Sequence, residues 1–231
     1  MSAPAVCLDA GHYGKYNRSP AVPAYYESEM NWKLHLLLKA ELEAMGIRVI
    51  TTRPDAAKDL DLVSRGRAAR GCDLFLSLHS NAAGSTVNEA VDYPVVYVQL
   101  DGRGDALGKT LAHTVATVMG TRQPGCVKTR KGNRGEYYGV LRGAAAVGTV
   151  GMILEHSFHT NTRSTNWLMD EANLKALAKA EAEVIGSYFG LGRKLYRVQV
   201  GAYTQRENAC RQLEKAKALG FADAFIQEVT L

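Results

Sequence analysis

The chain has 231 residues, 46% of them hydrophobic, and a formal charge of +5. No apolar run approaches the ~20 residues that span a bilayer, and the composition excludes a disordered or collagen-like chain, leaving room for one sizeable core and a small appendage. The basic balance favours anionic partners, but the basic residues form no long block, and the densest patch is Lys128, Arg130, Lys131 and Arg134.

Strand and helix patterns alternate along the chain. Val6 to Asp9 reads as a short buried strand, followed by a loop with Asn17, Pro20 and Pro23. From Glu27 to Met45 apolar residues recur at helical spacing (Met30, Leu34, Leu37, Leu38, Met45), and Gly46 ends the helix. Ile47 to Thr51 is rich in strand formers. A helix is expected over Leu60 to Arg70, closed by Gly71. Asp73 to His79 is nearly continuous in apolar residues, as in a central strand covered on both faces. Val95 to Leu100 reads as a strand, Asp105 to Met119 as a helix, and Gly125 to Gly139 as a glycine-rich basic loop. Val150 to Glu155 is another strand, and a long helix covers Glu171 to Phe189. This order predicts one α/β domain: a single mostly parallel sheet flanked by helices.

Gly190-Leu191-Gly192 interrupts the pattern. A strand over Tyr196 to Val200, a helix over Asn208 to Leu219 and a strand over Ala224 to Val229 then predict a small βαβ appendage. The expected layout is a main domain over 1–190, a linker over 191–195 and a segment over 196–231, too short to bury a core alone. The four cysteines, Cys7, Cys72, Cys126 and Cys210, show no CxxC spacing, so neither a disulfide framework nor a cysteine zinc site is expected. The first ten residues lack a basic leader pattern. The expectation is cytoplasmic synthesis.

Three predicted strands end in polar groups: Asp9-Ala10-Gly11-His12, Ser77-Leu78-His79-Ser80-Asn81 and Leu154-Glu155-His156. In open α/β sheets ligands bind beyond the carboxyl ends of the strands. His12, His79 and Glu155 can therefore converge, and two histidines with a carboxylate suit a catalytic zinc that keeps one position open. Glu27 and Glu29, at the start of the first helix, are both candidates for a third protein ligand. GDALGKT (104–110) is a poor phosphate loop, with three residues between its glycines where the motif needs four. No nucleotide or nucleic-acid partner is expected.

Six segments in order resemble the zinc-dependent N-acetylmuramoyl-L-alanine amidases of the amidase-3 family: DAGHYG, ESEMNW, TTRP, DLFLSLHSNAA, NRGEYYGVLR and MILEHSFHTN. The resemblance covers residues 5 to 190. It implies that His12, Glu27 and His79 bind zinc, with Glu27 preferred over Glu29 because Asn31 follows it by four residues as in the family motif. It implies Glu155 as the catalytic acid/base in hydrolysis of the amide between N-acetylmuramic acid and L-alanine. Asn81, Arg134 and His156 are added as substrate-binding candidates. Ala10 and Ser157 depart from the family pattern, where Pro and Gly are usual. YRVQVGAYTQRENACRQLEKAKALGF resembles the first half of a SPOR domain, a module for glycan strands stripped of stem peptides. Together these imply an endolysin-like enzyme acting on peptidoglycan at the cell wall after release. They imply no stable membrane insertion, and either a homodimer through the C-terminal segment or loss of glycan binding. An inactive wall-binding protein on the same fold and a metallo-amidase for a small soluble substrate are the alternatives.

Overall fold

The computed structural model describes residues 3–133, 135–191 and 198–229. It divides into two compact units, Met1–Gly192 and Arg193–Leu231. The first holds a six-stranded sheet in the order β2-β1-β3-β8-β4-β5. Its strands are β1 (Ala5–Ala10), β2 (Arg48–Thr51), β3 (Leu74–Asn81), β4 (Val95–Val98), β5 (Cys126–Lys128) and β8 (Val150–Phe158). The strands β2, β1, β3 and β8 run parallel, while β4 lies antiparallel to β8. The predicted α/β class and mostly parallel sheet agree with this arrangement.

Alternate residues of each strand feed two cores. Val6, Leu8, Leu74, Leu76, Leu78, Met152 and Leu154 pack under α1 (Glu27–Ala44), α3 (Asp105–Met119) and α6 (Glu171–Tyr188). Cys7, Phe75 and Ile153 pack on the opposite face under α2 (Leu62–Arg67) and α4 (Gly139–Ala146). Burial on both faces explains why β1 and β3 read as continuous apolar runs rather than alternating ones. Beyond Phe75 and Cys7 the second face turns polar. Asp9, Ser77, His79 and Glu155 continue it towards the strand ends.

The glycine-rich loop contains more structure than expected. Within it lie β5 and a two-stranded ribbon of β6 (Lys131–Gly132) and β7 (Gly135–Glu136). The helices α4 and α5 (Thr162–Met169) have no counterpart in the predicted elements. Each has only eight residues, two turns, too short to show a full apolar period.

The C-terminal unit departs from the expected βαβ. Its helix α7 (Arg206–Ala218) is present, but 198–205 and 224–229 are irregular, so neither predicted strand stands there. Residues 196 and 197 of the first lie outside the described residues. A lone strand pair with one helix offers too few partners to satisfy its backbone. Consistent with that, Val198, Leu219, Phe221, Phe225 and Val229 are exposed.

Candidate metal centre and active site

His12, Glu27 and His79 converge at the carboxyl ends of β1 and β3, offering one ligand atom each within 4.8 Å of one another. His12 leaves β1 with φ 59°, in the left-handed region, and Arg65 Nη2 donates to its carbonyl at 3.0 Å. Glu27 is the first residue of α1, where the helix dipole favours a carboxylate. Glu29, the other candidate, is exposed.

The Glu27 carboxylate is the centre of the cluster. Oε1 lies 2.8 Å from His79 Nδ1 and accepts from Ser80 N at 3.1 Å. Oε2 lies 3.3 Å from His12 Nε2 and accepts from Asn17 Nδ2 at 2.6 Å. Burial would raise its pKa, but the hydrogen bonds and charges of His12 and His79 together outweigh burial and hold it well below the usual carboxylate range. Asn31, one helical turn on, donates to Gly11 O at 3.1 Å and so ties α1 to the end of β1.

His79 is oriented from behind. Ser77 Oγ lies 3.1 Å from His79 Nε2 and donates to Asp9 Oδ2 at 2.6 Å. Thr52 Oγ1 and Arg65 Nη1 also bond Asp9, at 2.6 and 3.0 Å. Burial works against the Asp9 charge. Arg65 and the two hydroxyl donors outweigh it and keep the carboxyl below its ordinary pKa. Since Ser77 spends its proton on Asp9, it accepts from His79 Nε2–H. With Nε2–H held by Ser77, Nδ1 is the nitrogen turned to Glu27, and it is the one that would give up its proton to a metal.

Glu155 stands opposite His79 in the β3–β8 register. Its Oε2 is buried without a hydrogen-bond partner among the described residues. Burial pushes its pKa well above the carboxylate range, and the Glu27 charge adds to this. A cleft of about 280 Å³ opens beside the cluster, lined by His12, Tyr16, Leu62, Arg65, His79 and Val140.

The three substrate-binding candidates fare differently. Asn81, half-buried, accepts from Ala82 N at 2.8 Å and finishes β3. Arg134 lies outside the described residues. His156 must be corrected: it is fully buried and cannot face a substrate. Strand alternation turns it away from Glu155, to the α6 side, where its Nε2 lies 2.8 Å from Glu181 Oε1. Its Nδ1 lies 2.8 Å from His79 O. The departure at Ser157 also has a cause. Its φ is 129°, a conformation that favours glycine, and the serine is retained with its Oγ donating to buried Asp92 Oδ1 at 2.9 Å.

Asp9, Asn17, Ser77 and Arg65 were not singled out as site residues from sequence. Ser77 carried a usable signal, two residues before His79 on the same strand face. Asn17 and Arg65 carried none, being brought in by a loop and by α2.

The Amidase_3 family, described as N-acetylmuramoyl-L-alanine amidase, matches residues 6–187. The SPOR domain matches residues 169–228, so the two matches overlap within the first compact unit. The chain is 27% identical over 229 residues to N-acetylmuramoyl-L-alanine amidase CwlM of Bacillus licheniformis, covering 96% of this chain and 83% of that one. It is 25% identical over 224 residues to a sporulation-specific N-acetylmuramoyl-L-alanine amidase of Bacillus subtilis (strain 168), covering 94% and 82%. Its fold is similar to the catalytic domain of CwlV from Bacillus (Paenibacillus) polymyxa var. colistinus, with a TM-score of 0.68 and 23% identity over 81% of this chain and 99% of that one.

Proposed function

The chain belongs to the Amidase_3 family of N-acetylmuramoyl-L-alanine amidases, and from this membership we propose how its own residues cut the wall. The enzyme hydrolyses the amide between N-acetylmuramic acid and L-alanine in peptidoglycan, separating stem peptide from glycan. The observation that carries the residue assignment is the His12–Glu27–His79 cluster with Glu155 in register beside it.

The donor set fits a zinc ion: two imidazoles and one carboxylate, the kind of three protein ligands that a catalytic zinc takes. Zinc bound there supplies Lewis acidity, lowering the pKa of water and polarising a carbonyl. His12, Glu27 and His79 are the ligands. Ser77 and Asp9 hold the His79 ring in the ligating orientation. Glu155 takes the proton of the attacking water on its carboxylate and returns it to the leaving amine of L-alanine. Burial and the Glu27 charge raise its pKa, which favours the protonated form that returns the proton.

The SPOR match supports attachment to wall glycan through the C-terminal unit. The exposed Val198, Phe221, Phe225 and Val229 support pairing of that unit with a second copy, which sedimentation velocity of the full chain against one lacking residues 193–231 tests. The endolysin role is proposed on the same wall-directed pairing of modules. It predicts that intracellular expression lyses cells only when a membrane pore is co-expressed.

The assignment is tested on purified cell walls by the wild type and Glu155→Gln, with zinc content measured in parallel. The expected result is new N-terminal L-alanine from the wild type, a loss of ~10²–10⁴-fold in the variant, and equal zinc in both. Zinc in both proteins and no alanine from the wild type would leave a wall-binding protein.

A further inference from the structure

Two cations at the β5 edge of the sheet are oriented by aromatic rings and, among the described residues, are not neutralised by acids. Lys128 Nζ lies 5.5 Å from the centre of the Tyr93 ring. The Arg130 guanidinium lies 3.6 Å from the Tyr137 ring centre and 6.0 Å from that of Tyr138. Among the described residues neither cation has a carboxylate within ion-pair distance. The one acid of the adjoining ribbon, Glu136, is bonded instead to Leu100 N. Arg142 Nη1 donates to Glu136 O at 2.9 Å and Tyr137 O at 2.6 Å, fixing the backbone that carries the tyrosines.

This patch continues the catalytic face. Glu155 pairs with Val95 and Ile153 with Tyr97 across β8 and β4; Val95 pairs with Cys126 and Tyr97 with Lys128 across β4 and β5. Lys128 is therefore on the same sheet face as Glu155, two strands over and, level with Ile153, two residues back towards the start of β8. At about 4.8 Å per strand and 3.3 Å per residue, their Cα atoms are about 12 Å apart. Tyr138 packs on Tyr97, with ring centres 4.9 Å apart, and precedes Val140 of the cleft wall by two residues.

We propose that Lys128 and Arg130 form a subsite for a carboxylate of the stem peptide, at the second or third residue beyond the scissile amide. The inference rests on the amidase reading above. An extended peptide covers about 12 Å in three to four residues, and the long side chains reach back to meet it. An arginine stacked on a ring keeps its outer edge free for bidentate contact with a carboxylate. A stem peptide whose carboxylates are masked as amides loses that contact, so the subsite distinguishes wall chemotypes.

The test is titration calorimetry of the full chain with a synthetic tripeptide, L-alanyl-γ-D-glutamyl-L-lysine, and with its fully amidated form. The wild type is expected to bind the acid about tenfold more tightly than the amide. Lys128→Gln with Arg130→Gln is expected to bind both forms equally, at the wild type's affinity for the amide, with an unchanged melting temperature. A wild type without preference, or a double variant that keeps it, overturns the subsite. Weak binding of both tripeptides with tight binding of poly(glycerol phosphate) also overturns it, in favour of a phosphate polymer. Release of alanine termini from walls by the same wild-type preparation tests the amidase reading separately. A protein that prefers the acid but cuts no wall keeps the subsite and sinks the amidase.

Discussion

Gly11 lies so close to the His79 ring that a Cβ at residue 11 would sit 2.3 Å from His79 Nε2 and Cε1. The histidine at the end of β1 is preceded by glycine because the neighbouring strand's metal-ligand candidate fills the space. Gly11→Ala is therefore expected to displace the His79 ring from Glu27 and Ser77. Zinc affinity should fall by ~10-fold or more, with a stability loss of about 1–3 kcal/mol from overpacking. Competition with a chromophoric chelator measures the first and urea unfolding the second. Unchanged zinc affinity would show that the ring position is not what selects the metal.

The Ser77 hydroxyl links His79 to Asp9. Ser77→Ala removes the acceptor for His79 Nε2–H and one donor to Asp9, while Arg65 and Thr52 still hold that carboxylate. The expected outcome is zinc bound ~10–100-fold more weakly, with catalysis restored at saturating zinc. Loss of catalysis at full zinc occupancy would place Ser77 in the chemistry itself.

The relation between sequence and site is uneven for physical reasons. The strand-end residues His12, His79 and Glu155 were legible because a buried parallel strand must stop being apolar where it reaches a cleft. Glu27 was legible as one of two helix-start acids, and only the family resemblance separated it from Glu29. His156 was misplaced because sequence adjacency to Glu155 says nothing of side, whereas strand alternation turns neighbours to opposite faces. Asn17 and Arg65 act across a loop and a helix, where no period links them to the strands. The sheet was legible from its apolar runs, but α4 and α5 were too short to declare themselves.

Glu181 is wholly buried in α6 and meets His156, whose other nitrogen contacts His79 O. Glu181→Leu leaves His156 Nε2 without its partner in a site closed to water. An unmade buried hydrogen bond costs about 1–3 kcal/mol, and the urea midpoint should fall accordingly. Glu181→Gln, which keeps an oxygen and an NH₂ in place, should recover most of the loss. Equal losses in the two variants would assign the effect to packing, with no share for the hydrogen bond.

His35 sits buried in α1 against the Trp32 ring, and its Nδ1 has no hydrogen-bond partner among the described residues. Burial lowers its pKa to about 4 from an ordinary 6.5. Arg53 and Lys39 push it in the same direction, while Asp9 and a hydrogen bond to the Trp32 backbone oppose them. The folded chain holds the ring neutral, and the unfolded chain takes up a proton below pH 6.5. The stabilisation is therefore complete above pH 6.5 and drains away as pH falls towards 4, by up to about 3 kcal/mol. His35→Gln removes the titrating group, so the gap in unfolding free energy between wild type and variant should narrow across that window. Urea titrations at half-unit pH steps measure it. A gap that stays constant from pH 7 to 4 would mean that His35 titrates alike in both states, with α1 opening to water around it.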